Sequence, residues 1–248
     1  MDIVAYRRHP DEQLRMRSLL ELVPRGRQSL LDIGSREGFL AKELSDRFKR
    51  IVALDLRKPD VQDPGIESVA GDLAALQFDD NSFDTVLCAE VLEHIPVQKL
   101  ARACEELVRV ARHEVVVGVP YRQDTRALKT TCSACGRINP PYGHVNVFDE
   151  ERLRSLFSSA RMLRTELVGS DHFITNPISS FLMSLAGNPS GSYEQDECCI
   201  FCGAEIRRPS NRTVLQRLCS LTGLIMIRFQ KMLVPPHPKW IHAVLAVN

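Results

Sequence analysis

Residues 29–56 read SLLDIGSREGFLAKELSDRFKRIVALDL. Leu30, Leu31 and Ile33 form a short apolar run of the buried-strand type, which turns at Gly34. Phe39, Leu40, Leu44 and Phe48 then recur at helical spacing, and a second apolar run, Ile51 to Leu54, ends on Asp55. Strand, glycine turn, helix, strand is a unit with a ligand site built into it. Glycines let a ligand approach the backbone at the end of a parallel strand, and a carboxylate closing the next strand can accept both hydroxyls of a ribose. An adenosine-containing ligand fits that description. A dinucleotide site wants Gly-x-Gly-x-x-Gly, whereas Gly34 and Gly38 stand four apart with acidic residues around them, a poor cradle for pyrophosphate. The ligand expected here is one without phosphates.

The run Asp32-Ile33-Gly34-Ser35-Arg36-Glu37-Gly38 resembles D-x-G-x-G-x-G, the first motif of the class I S-adenosylmethionine-dependent methyltransferases, with Arg36 in place of the middle glycine. An arginine there can point to solvent or crowd the methionine end of the cofactor. Downstream, Ile66 to Ala70 reads as a third strand ended by Gly71-Asp72-Leu73, where that family places an acidic and then an apolar residue against adenine. Taken alone, Asp72 would read as a turn or helix cap. Residues 83–95, FDTVLCAEVLEHI, resemble the F-D-x-V-x-x-x-x-V-L-E-H-I signature of the family's small-molecule, type 11-like branch at every specified position. The resemblance implies an α/β, Rossmann-like sheet of seven strands in the order 3-2-1-4-5-7-6 with helices on both faces. It also implies S-adenosylmethionine held by Asp32, Gly34, Ser35, Gly38, Asp55, Leu56, Asp72, Leu73, Ala89 and Glu90.

Asp11 to Leu22 is expected to be a helix with Leu14, Leu19 and Leu22 on its apolar side, covering the cofactor or packing on an edge. The pattern also predicts a helix over 97–111, a doubly covered strand over 114–119, a helix over 150–160, and strands over 162–168 and 240–247. The expected organisation is an N-terminal segment, 1–26, and a methyltransferase domain, 27–248, whose insertions 121–148 and 170–238 form a substrate cap.

Those insertions carry Cys132-Ser-Ala-Cys135-Gly136 and Cys199-Ile-Phe-Cys202-Gly203. Each is a C-x-x-C-G knuckle that aims two sulfurs at one ion, and two knuckles make a tetrahedral four-thiolate zinc site. In the sheet order implied above, strands five and six flank strand seven and both emerge at the carboxyl edge, so their loops can meet. Cys198 is an alternative to Cys199. A closed four-thiolate site has no open position, so its role would be structural.

Composition sets limits. The chain has 248 residues and a net charge of +1, which gives no sign of nucleic-acid binding, and its grouped cysteines suit metal binding better than a secreted disulfide framework. No uncharged apolar run approaches the roughly 18 to 20 residues of a membrane span, so a cytoplasmic protein is expected. From Ile206 onward there is no Asp or Glu. Within that stretch Arg217, Ser220, Arg228 and Lys231 share one side of a helical projection, and Leu215, Leu218, Cys219, Met226, Phe229 and Leu233 the other. Two readings stand: a helix packed on the domain with a solvated basic face, or peripheral membrane contact through 211–233. Gly223 reads as a weak point or bend.

His94, and His144 in an H-V-x-x-F run that recurs among relatives near the substrate pocket, are the candidate general bases; structural hydrogen bonding is the alternative role of each. The expected activity is methyl transfer to an oxygen on a small molecule, glycan or lipid-linked intermediate. The alternative is a non-catalytic or macromolecule-binding protein that uses the zinc insertion as an interaction surface.

Overall fold

The computed structural model describes residues 7–171, 175–193 and 198–247. The first six residues of the expected 1–26 segment lie outside them. The described chain divides into two compact units, one built from residues 7–122, 148–169 and 238–247, the other from 123–147 and 170–237.

The first unit holds the sheet. Its strands are β1 (Ser29–Ile33), β2 (Arg50–Asp55), β3 (Ile66–Ala70), β4 (Phe83–Ala89), β5 (Ala111–Pro120), β8 (Arg161–Val168) and β9 (Trp240–Ala246), in the order β3-β2-β1-β4-β5-β9-β8. This is the expected order, since β8 and β9 are the sixth and seventh strands of the sheet. β1 to β5 run parallel, and β9 is antiparallel to both β5 and β8. Helices α1 (Pro10–Leu22), α2 (Phe39–Glu43), α3 (Val97–Val110) and α4 (Glu150–Leu156) complete the unit.

Successive residues of the central strands feed opposite layers of the core, as the two-residue period of a strand requires. Leu31, Val52, Val86, Val115 and Val117 pack with Leu100, Ala103, Cys104 and Leu107 of α3. Leu30, Ile51, Ala53, Leu87, Val116 and Val244 pack on the other face with Leu19 and Leu22 of α1 and with Ala41 and Leu44. The helical pattern after Gly38 resolves into the short α2 and a 3-10 turn, Ser45–Arg47, which shortens the expected helix.

Helix α1 departs from its sequence pattern. Leu19 and Leu22 are buried, but Leu14 is exposed, while Glu12, Arg15 and Ser18 are buried. Ser18 explains part of this: its Oγ lies 2.7 Å from Glu166 Oε2 and 2.8 Å from His242 Nδ1, so a polar stripe of the helix is seated on β8 and β9.

The second unit contains a two-residue ladder, β6 (Thr130–Thr131) with β7 (Ile138–Asn139), and the helices α5 (Pro177–Leu185) and α6 (Val214–Leu233). Gly223 does not bend α6, which is continuous. Its missing side chain admits α5, because a Cβ there would stand 3.1 Å from Met183 Sδ and 3.4 Å from the Ser179 carbonyl oxygen. Among the described residues no helix is long and apolar enough to cross a membrane.

Leu87 is fully buried at the centre of the sheet. Leu87→Ala is expected to cost about 2–5 kcal/mol in chemical denaturation, whereas Val214→Ser, at an exposed position, is expected to cost less than about 0.5 kcal/mol.

Candidate cofactor site and thiol cluster

The carboxyl ends of β1, β2 and β4 bring together most of the residues singled out above. Gly34 (φ 74°) follows β1, and both its N–H and that of Ser35 donate to the Leu54 carbonyl, at 2.8 and 3.1 Å. A Cβ at Gly34 would come within 2.2 Å of Val91 Cγ2, and one at Gly38 within 2.5 Å of Val61 Cγ2, so neither position tolerates a side chain without displacing a neighbour. Arg36 adopts φ 49°, the left-handed conformation that a glycine would take there, and its side chain is exposed. The loop therefore keeps its path despite the substitution in the motif.

Asp55 closes β2. Its Oδ2 accepts the Arg36 N–H at 3.1 Å and its Oδ1 the Leu56 N–H at 2.7 Å, which leaves further acceptor capacity on a carboxylate for the two hydroxyls of a ribose. Leu56 is exposed beside it. Asp32 is buried beneath the loop, where Ser35 Oγ donates to its Oδ2 at 2.6 Å. Burial raises the Asp32 pKa to about 7, against the hydrogen bonds from Ser35 and the Ala41 backbone, and the nearby Asp55 adds to the rise.

Asp72 caps a 3-10 turn, accepting the Ala74 N–H at 2.9 Å, and pairs with Lys99 Nζ at 3.0 Å. Leu73 is buried in the core, so of that pair Asp72 alone faces the edge.

Beyond β4, Ala89 is half-buried and Glu90 takes φ 56°. Its Oε2 accepts the Trp240 Nε1–H at 3.2 Å, and its Oε1 is buried without a hydrogen-bond partner among the described residues. Burial raises the Glu90 pKa against the pull of Arg15. Glu93 is completely buried, neither carboxylate oxygen has a hydrogen-bond partner among the described residues, and burial together with the charge of Glu90 pushes its pKa well up. Arg15, paired with Glu12 at 2.8 Å, is the cation closest in effect to both. The sequence reading missed Glu93 and Arg15. The signal for Glu93 lay in the V-L-E-H-I run; that for Arg15 was its i+4 and i+7 spacing to Leu19 and Leu22, which puts it on their side of the helix. His94 is half-buried, and burial with the adjacent Arg36 lowers its pKa to about 4. His144 belongs to the second unit, its Nδ1 2.6 Å from Gln123 Oε1.

Within that second unit the two knuckles are the same turn built twice. Cys132 N–H donates to Arg137 and Gly136 N–H to Cys132; Cys199 N–H donates to Ala204 and Gly203 N–H to Cys199, and Gly136 and Gly203 take φ 72° and 71°. The sulfurs of Cys132, Cys135, Cys199 and Cys202 all lie within 4.8 Å of one another, with Cys132–Cys202 and Cys135–Cys199 at 3.7 Å. A tetrahedron with zinc–sulfur bonds of about 2.3 Å has edges of about 3.8 Å, so the spacing is compatible with zinc. Cys199, not Cys198, completes the set.

Residues 31–117 match the family described as methyltransferase domain. The ubiquinone biosynthesis O-methyltransferase of Albidiferax ferrireducens is 27% identical over 113 residues, covering 41% of this chain and 45% of that protein. The chain thus spans less than half the length of this relative. Among solved structures, the N-methyltransferase NodS of Bradyrhizobium japonicum superposes with a TM-score of 0.56 at 14% identity, over 98% of this chain and 99% of NodS. The cyclase SpnF superposes at 0.54 with 16% identity, over 94% and 79%. These likenesses show a Rossmann-like methyltransferase fold, and SpnF shows that one fold carries more than one chemistry.

The folded pKa of Asp32 lies above its ordinary value of 3.8, so its contribution to stability is fully present below about 3.8 and is lost as pH rises towards about 7. Asp32→Asn cannot ionise. The stability of this variant relative to wild type is therefore expected to improve steadily from pH 4 to 7 in urea denaturation; a difference that is flat over this range contradicts the assignment.

Proposed function

We propose that the chain is an S-adenosylmethionine-dependent methyltransferase that acts on an oxygen of a small molecule, glycan or lipid-linked intermediate, with a structural zinc ion in its second unit. The carboxyl edge of β1 and β2 carries this reading: a loop held by Gly34 and Gly38 in left-handed conformations, facing an Asp55 carboxylate with acceptor capacity to spare. The family match over residues 31–117 and the name of the curated relative support methyl transfer and an oxygen acceptor respectively.

Bound there, S-adenosylmethionine supplies an electrophilic methyl group on a sulfonium. The chain's part is to bind and orient. Asp55 would accept the ribose hydroxyls, Ser35 and the 34–38 backbone would line the ligand, Asp32 fixes the loop through Ser35, and Asp72 would accept from the adenine amino group. Ala89 and Glu90 line the edge. His94, with its pKa near 4, is uncharged at neutral pH and is a candidate to take a proton from an acceptor hydroxyl, but it is a weak base. Most of the rate then comes from holding the acceptor in line. His144 is the second candidate base.

Four thiolates whose sulfurs all lie within 4.8 Å of one another would close a zinc site with no open coordination position, so the ion would hold the two insertions together rather than react. The insertions 121–148 and 170–238 are assigned to acceptor recognition.

Calorimetric titration with S-adenosylmethionine and S-adenosylhomocysteine tests the cofactor site. The full chain is expected to bind both; Asp55→Ala should weaken binding at least ~10-fold, and His144→Ala should leave it unchanged. Equal affinities in wild type and Asp55→Ala remove the site assignment, and absence of binding by the folded protein replaces the enzyme with a non-catalytic binding module. In metal analysis, the purified protein should carry close to one zinc per chain, and Cys135→Ser should lose both metal and melting temperature. Metal-free protein with an unchanged melt ends the zinc proposal.

A further inference from the structure

Helix α6 has spent its inward face. Ser220, Gly223 and Ile227 are its buried residues, and Gly223 admits Met183 and the Ser179 carbonyl of α5. Much of what remains outward is apolar. Leu218, Leu221, Ile225, Phe229 and Met232 recur at i+3, i+4 spacing on one stripe, and all are exposed, Phe229 at 63% and Met232 at 83%. This reverses the expectation of a helix packed by its apolar side with a solvated basic face. Helix α5 adds a stripe of its own, Ile178, Phe181 and Leu185, also exposed. Apolar residues scattered singly on a surface are ordinary; a stripe running the length of a 20-residue helix is not, and calls for an occupant.

Charge identifies the occupant. Arg217 and Arg228 are exposed along one flank of the stripe, and no Asp or Glu occurs from Ile206 to the end of the sequence. A partner must therefore offer an apolar interior and a negative rim. A second copy of the same face would set arginine against arginine. An anionic lipid surface offers both features, with acyl chains under the stripe and phosphates at its flank. The helix opens with a capping box at Thr213 and Gln216, which satisfies donors of its first turn within the chain. It is not apolar enough to cross a bilayer, which leaves lying in the interfacial plane as the arrangement that satisfies both faces.

We propose that the α5–α6 hairpin is a membrane-docking element, with α6 lying flat on an anionic bilayer, its Leu218–Met232 stripe at the headgroup boundary and Arg217 and Arg228 on lipid phosphates. The proposal does not depend on methyl transfer, and its test reads binding alone. In flotation of the full chain with liposomes, vesicles of phosphatidylcholine plus phosphatidylglycerol are expected to carry the protein at low salt. Phosphatidylcholine vesicles, or high salt, should reduce binding about 10-fold. The double variant Phe229→Ser, Met232→Ser, at exposed positions, should keep its melting temperature and lose binding; Arg217→Gln with Arg228→Gln should lose the dependence on salt and on phosphatidylglycerol. Absence of binding to anionic vesicles at low salt overturns the proposal. So does a wild-type dimer in sedimentation equilibrium that Phe229→Ser, Met232→Ser turns into a monomer, because the stripe would then be an interface between copies.

Discussion

A parallel strand covered on both faces leaves its side chains little freedom to be polar, and much of the first unit follows from that constraint. Leu30 and Leu31 already belong to opposite layers of the core, as do Leu87 and Val86. Chemistry is displaced to the point where each strand leaves the sheet. There the backbone turns sharply, the side chains escape the core, and several carboxylates collect: Asp32 and Asp55 at β1 and β2, Glu90 and Glu93 after β4. Arg36 and Glu90, neither of them glycine, hold left-handed conformations at this edge, where local strain accompanies an arrangement of functional groups.

The buried charges are the second feature of that edge. Glu93 is enclosed with no hydrogen-bond partner among the described residues, and Glu90 is only half satisfied by Trp240. Both are shifted towards the protonated form by burial, and Arg15 opposes the shift. Groups in this condition are costly in a folded chain, and their concentration beside the glycine loop marks the part of the unit where stability has been yielded to something else.

The sheet was readable because its signals are local. Apolar runs of four to seven residues, glycine turns and one amphipathic helix recur in order, and the spacing of the cysteines named the thiol cluster down to the choice of Cys199. Reading failed where burial is decided by a distant partner. Ser18 looks like an ordinary polar helix residue until Glu166 and His242 arrive from β8 and β9, far along the chain. Gly223 looks like a weakness until Met183 occupies the space it leaves. The apolar residues of α6 looked like a packing face because periodicity reports that a helix has two sides and cannot report which one is covered.

The duplicated knuckle also bears on the order in which the chain assembles. Each turn closes on itself through bonds spanning a few residues and can form early. Their meeting is another matter, because the stretch between Cys135 and Cys199 includes α4 and β8, and β8 is secured only when β9, from the end of the chain, pairs with it. The sulfurs that meet stand 64 and 70 residues apart along the chain, so their convergence closes a long loop that neither turn closes by itself. Formation of either turn and closure of the loop between them are therefore separate events in the assembly of this unit.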